Sequence, residues 1–133
     1  MKFRVIWDDC TPTRDRRPTT LQDIEEDIHV KDFEGSEDDF LDLILDIVGW
    51  DRDELEDNEI EGTPIEQAQE LIGYCNDPGD GSANFLYVSV DGKELDGSFP
   101  YDGMENLDLE HCTEKEVKKL LMSEYSDIFD DWD

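Results

Sequence analysis

Positive charge is scarce in this chain. Eleven Lys and Arg stand against thirty-nine Asp and Glu in 133 residues, a formal net charge of −28 at pH 7. Nucleic acid and anionic membranes are therefore very poor partners for most of the surface, since like charges repel on approach. Long apolar runs are also missing. No stretch approaches the roughly 20 residues of a transmembrane helix. The opening MKFRVIWDD is acidic by its eighth position and does not read as a signal peptide. Cysteine is sparse: Cys10, Cys75 and Cys112 are far apart and odd in number. We expect no disulfide framework, and a reduced, cytoplasmic protein with three thiols, mostly buried.

Catalytic and metal-binding patterns are equally thin. His29 and His111 are the only histidines, hence the only side chains with an ordinary pKa near neutrality, and neither sits in a recognisable motif. There is no GxSxG, no phosphate-binding loop and no glycine-rich dinucleotide turn. A calcium loop opening at Asn76 has Pro78 and Tyr87 where ligands are required, and one opening at Asp51 has Glu56 in place of the turn glycine. His111 and Cys112 are adjacent, but no CxxC or HxxxH spacing accompanies them. The expectation is a non-enzymatic protein with no cofactor and no dedicated metal site.

What is present is enough to fold. The apolar fraction is 36% and falls in periodic blocks, which a disordered acidic tail lacks. Residues 2–7 alternate as a half-buried strand with Phe3, Val5 and Trp7 on one side. Thr20 with Asp23 reads as the start of a short helix carrying Leu21, Ile24 and Ile28 on one face. Ser36 caps a stronger helix that carries Phe40, Leu41, Leu43, Ile44, Ile47 and Val48 and stops at Gly49. Asp51 caps a short turn through Leu55, behind the staple residue Trp50. Thr63-Pro64 opens a third helix with Ile65, Ala68, Leu71, Ile72 and Cys75 at helical spacing. Asn84–Val90 and Lys93–Phe99 flank Asp91-Gly92, a strong hairpin signal. Thr113 with Glu116 opens the last helix, with Val117, Leu120, Leu121 and Tyr125 inward. The expectation is one α+β domain over 1–133. It has a small antiparallel sheet (the first strand plus the hairpin near 84–99), about four helices over one face, and a segment able to flex at 127–133.

The charge is unevenly spread. Residues 1–20 hold five basic and three acidic residues, whereas residues 21–133 hold six basic and thirty-six acidic. Residues 37–61 alone hold twelve carboxylates and one arginine. Asp38, Asp42 and Asp46, with Asp39 beside them, form a stripe opposite the apolar helix face, one charge about every 6 Å. Phosphates on one strand of duplex DNA follow at a comparable spacing, roughly 6–7 Å along the strand path, for an axial rise of about 3.4 Å each. Asp51, Asp53, Glu54, Glu56, Asp57, Glu59 and Glu61 extend the track. A solvated helix face explains most charge runs, but a net −30 over residues 21–133 exceeds what solubility demands. Halophilic adaptation fits poorly with two alanines and nine isoleucines.

Two further groups have two readings each. Arg14, Arg16 and Arg17 either relieve local repulsion or touch an acidic patch or nucleic acid held by the partner. Phe129 and Trp132, among four aspartates, either dock on the domain or project as aromatic anchors.

In composition, size and carboxylate layout the chain resembles the acidic nucleic-acid mimics of phages and mobile elements, the anti-CRISPR and anti-restriction inhibitors. The resemblance carries no diagnostic motif and transfers no residue role. It implies a cytoplasmic inhibitor that occupies the basic nucleic-acid-binding surface of a target protein, a CRISPR or restriction effector, and blocks nucleic-acid access without binding nucleic acid or membrane itself. The alternative is an immunity protein that neutralises a basic nuclease toxin through the same electrostatics.

Overall fold

The computed structural model describes residues 1–9, 23–75, 84–98, 100–101 and 104–124. Its centre is a four-stranded antiparallel sheet in the order β2-β1-β3-β4, formed by β1 (Lys2–Asp8), β2 (Ile28–Glu34), β3 (Asn84–Val90) and β4 (Lys93–Glu94). Among the described residues there are four α-helices: α1 (Glu37–Val48), α2 (Arg52–Asp57), α3 (Pro64–Cys75) and α4 (Glu114–Glu124). The α+β class expected from the sequence is the one observed.

β1 and β3 are interior strands. Phe3, Val5 and Ile6 on β1 and all of β3 are buried, so their two faces feed two cores. On one face Phe3, Val5, Phe85, Val88 and Val90 pack against α1, α2 and α3. Phe3 stacks nearly parallel on Phe40 at 4.7 Å and meets Phe33 at 4.9 Å with a 26° tilt. On the other face Ile6, Leu86 and Tyr87 meet Val117 and Leu121 of α4, together with Tyr101, Met104 and Cys112. The expectation of helices over one face is corrected: both faces are covered. The eleven-residue α4 has a narrow inner edge of two buried residues, Val117 and Leu121, which suffices to close the second layer.

β2 is the element that sequence periodicity missed. Ile24 and Ile28, read as one helical face, lie instead in a single π-helical turn (Asp23–Asp27) and at the first residue of β2. Both are fully buried. The seven-residue register from Lys2↔Glu34 to Asp8↔Ile28 outweighs the local helical pattern, and charged residues such as Lys31, Asp32 and Glu34 obscure the alternation. The hairpin turns at Asp91 (φ 51°) and Gly92 (φ 83°), both in the left-handed region that a tight two-residue turn requires. β4 is shorter than expected, ending at Glu94. The chain then passes over α3, where Gly97 (φ 101°) sits so close that a Cβ would come within 3.3 Å of the Gly73 nitrogen. Phe99 lies outside the described residues, as do Leu21, Tyr125 and the segment 127–133.

The helix starts are those the sequence signals. Ser36 and Asp39 exchange side chain-to-backbone bonds at 3.2 and 3.0 Å, and Gly49 ends α1 at φ 77°. Asp51 accepts from the Glu54 N–H at 3.0 Å. Thr63 and Thr113 accept from the Glu66 and Glu116 N–H groups at 3.2 and 3.1 Å. No helix among the described residues is long and apolar enough to cross a membrane.

Candidate functional site

The sheet separates two layers of unequal charge. Residues 37–75, spanning α1, α2 and α3, carry fourteen carboxylates and one arginine, whereas the described elements of the opposite layer, Asp23–Asp27, residues 104–113 and α4, carry ten carboxylates and three lysines. The amphipathic α1 buries Phe40, Leu41, Ile44, Leu45 and Val48, which forces Asp38, Asp39, Asp42 and Asp46 onto the solvent side. Asp51, Asp53, Glu56, Asp57, Glu59 and Glu61 are exposed as well, and Glu54 is half-buried. The eleven carboxylates singled out in the sequence thus lie on one helical layer.

They are not equivalent. Arg52, at the start of α2, reaches back to α1. Its Nη2 lies 2.8 Å from Asp42 Oδ1 and 3.5 Å from Asp38 Oδ1, and its Nε donates to Asp42 at 3.3 Å. The Asp42 carboxylate raises the Arg52 pKa further above its ordinary value. This pair neutralises part of the stripe. Asp39 is engaged differently: the Ser36 backbone N–H and then the Ser36 hydroxyl hold its carboxyl below the usual range. Asp51 is occupied in capping α2. Asp46 has no such engagement among the described residues, and with Asp39 and Asp42 it rims a groove between α1 and β2 of about 510 Å³, whose walls include Phe33, Leu43 and Lys31.

The structure adds carboxylates that the sequence argument left aside. Glu61 faces a second groove of about 420 Å³, shared with Glu66 and Glu70 of α3 and Asp96 of the hairpin arm. Glu66 and Glu70 are one helical turn apart, a spacing visible in the sequence; Asp96 is brought in only by the passage of the chain over α3. Tyr74 was also missed. It is 42% exposed, and its ring meets Trp50 edge-on at 5.4 Å, an aromatic pair beside the acidic layer. It lies off the apolar face of α3, which was the available signal. The expected anchors Phe129 and Trp132 lie outside the described residues, as do Arg14, Arg16 and Arg17.

The opposite layer holds the more buried polar chemistry. Asp8 is fully buried and accepts from the Tyr101 hydroxyl at 2.6 Å, while Asn84 donates to the same oxygen at 3.2 Å. Arg4, only 6% exposed, donates to the Glu110 carbonyl at 2.8 Å. The Glu110 side chain accepts from the hydroxyls of Tyr87 (2.8 Å) and Ser89. Burial, reinforced by Glu110, pushes the Tyr87 hydroxyl up to about 12. Burial likewise raises the Cys112 thiol, against the pull of Arg4. The side chains of Cys10 and Cys75 lie outside the described residues.

The two histidines occupy different surroundings. His29 lies 2.8 Å from Asp9 and 3.8 Å from Glu114, tilted against Trp7. His111 is exposed and paired with Asp108, whose carboxyl it lowers. Among the described residues no group of three or more His, Cys, Asp or Glu is placed to hold a metal ion. No protein-family model, curated protein or solved structure significantly matches the chain.

Proposed function

We propose that the protein is an inhibitor that binds the basic nucleic-acid-binding surface of a target protein through the carboxylate layer of α1, α2 and α3, excluding nucleic acid from it. One observation carries the reading: fourteen carboxylates against a single arginine on one side of the sheet, a net −13, whereas the described elements of the other side carry ten carboxylates and three lysines, a net −7. Self-repulsion of this kind costs stability and is rarely gathered on one layer without a use. A cleft lined with Lys and Arg to hold phosphates reads charge and spacing rather than bases, and the α1–α2 track offers both. Long-range attraction would speed encounter with such a cleft by orders of magnitude at low ionic strength.

The test is a low-salt pull-down from bacterial lysate with the tagged protein, eluted in parallel by salt and by competing DNA or RNA. The captured protein is then purified and its nucleic-acid binding titrated against the inhibitor. The expected result is a nucleic-acid-binding effector released by nucleic acid, whose own binding is displaced competitively. A captured protein whose nucleic-acid binding is unaffected would sink the proposal. Capture of a nuclease toxin encoded beside this gene would replace it with the immunity reading.

A further inference from the structure

Among the described residues, the outer edge of β2 is unpaired over its second half. The hydrogen-bonding parity of the β1–β2 ladder is set at its ends. Gly35 N–H donates to the Met1 carbonyl at 3.0 Å, and Asp9 N–H to the Asp27 carbonyl at 2.9 Å. With the continuous register between them, odd-numbered residues of β2 bond β1, and Ile28, Val30, Asp32 and Glu34 turn their N–H and C=O groups away from the sheet. Val30 bears this out, because its N–H donates to Glu114 Oε1 of α4 at 3.2 Å. The α4 side chain thus covers the upper half of the edge. Among the described residues no partner meets the outward groups of Asp32 and Glu34.

This free edge runs beside the groove between β2 and α1. Phe33 and Leu43 are half-buried there, and Asp39, Asp42 and Asp46 outnumber Lys31. We propose that the edge from Asp32 to Glu34 is a strand-addition site for an extended basic segment of the protein partner. The inference rests on the reading that the partner is basic. Main-chain bonds to the outward N–H and C=O groups would hold the segment in register, with alternate side chains entering the groove. Lysine or arginine suits those positions, since its aliphatic stem covers Phe33 and Leu43 while its charge reaches the aspartates.

A second copy of this chain is the wrong occupant. Pairing β2 with itself brings together two copies of Asp32, Glu34 and the α1 aspartates, each chain carrying a net −28. Edge charges of this kind block self-association. They leave an oppositely charged strand free to add, a specificity created by repelling the wrong partner.

The test uses fluorescence anisotropy with a labelled nine-residue peptide alternating lysine and valine, beside the same peptide N-methylated at every backbone nitrogen. Both carry the same charge, and only the first can donate along the edge from either of its sides. We expect the unmethylated peptide to bind about tenfold tighter, the equivalent of one or two net main-chain hydrogen bonds. Glu34→Pro should weaken the unmethylated peptide several-fold relative to Glu34→Gln. Proline is tolerated where the N–H points out of the sheet, and the circular dichroism and melting curve of the variant check that the fold is retained.

Equal binding of the two peptides would overturn strand addition while leaving a charge-driven partner intact. Absence of binding by both at low salt would remove the basic-partner reading for this face as well. A concentration-dependent dimer abolished by Glu34→Pro would assign the edge to a second copy and overturn the proposal. If Glu34→Pro fails to fold, the methylated pair decides the question alone.

Discussion

At the scale of single residues, the strongest local constraint on α1 is the exchange between Ser36 and Asp39. Its bonds favour the charged carboxylate, so the Asp39 pKa falls below its ordinary value. For a lowered acid the sign is fixed: the stabilisation is present above the unfolded-state value and is lost as pH falls through the folded one. Ser36→Ala should cost about 1 kcal/mol of stability at neutral pH, and the Asp39 carboxyl titration followed by NMR should move upward. An unmoved midpoint would mean that the Ser36 hydroxyl adds little to the backbone N–H, which alanine retains. Tyr87 behaves in the opposite sense. Its neutral hydroxyl is favoured by burial and by donation to Glu110, and its pKa rises to about 12. That contribution is intact below the ordinary tyrosine value near 10 and is lost as pH climbs toward 12. Denaturant melts from pH 9 to 12 should show a steeper alkaline loss in the wild type than in Tyr87→Phe. Parallel curves would place the ionising group elsewhere.

At the scale of elements, the sheet and the α1 layer meet through a short aromatic stack. Phe3 and Phe40 lie within 5° of parallel at 4.7 Å, and both are buried. Phe40→Ala should destabilise the protein by about 3–5 kcal/mol, since rigid neighbours on the strand and the helix cannot collapse into the space. A loss under 1 kcal/mol in chemical denaturation would show that the helix repacks. Elements of this kind were legible in the sequence wherever a cap and a period agreed. Ser36 with Gly49 bounded α1, Thr63-Pro64 opened α3, Thr113 with Glu116 opened α4, and Asp91-Gly92 made the hairpin. β2 was not legible, because its position depends on a partner strand far away in the chain. Its outward charges carry the signature of an edge, not of a core strand. The exposed stripe of α1 was legible from helical spacing alone. Its partial neutralisation was not, since Arg52 reaches Asp42 and Asp38 only after the chain turns at Gly49. The contribution of Asp96 to the second groove is likewise a product of tertiary routing.

At the scale of the whole molecule, the sheet gathers the larger share of the negative charge into the layer on one side, where Arg52 neutralises only part of it. Within that layer repulsion is long-ranged and sensitive to salt. The screening length falls from about 30 Å at 0.01 M salt to about 10 Å at 0.1 M, from the size of a small domain to the spacing of a few side chains. The melting temperature should therefore rise with added sodium or potassium chloride alike, and a flat response would mean that the charges are already compensated. Asp38, Asp42 and Asp46 replaced together by asparagine separate the competing effects. The change removes three mutually repelling charges, and it also deletes the exposed Arg52 contacts, worth about 0.2–1 kcal/mol as surface ion pairs. At low salt, relief of repulsion wins and the variant should melt higher than the wild type. At high salt the repulsion is screened in both, so the advantage should vanish or reverse. Binding to a basic partner should weaken in the same variant, so stability and affinity move in opposite directions at low salt. A variant that melts lower at every salt concentration would show that the Arg52 contacts, not repulsion, dominate the energetics of this face. Unchanged affinity would move the interface to the Glu61, Glu66 and Glu70 groove.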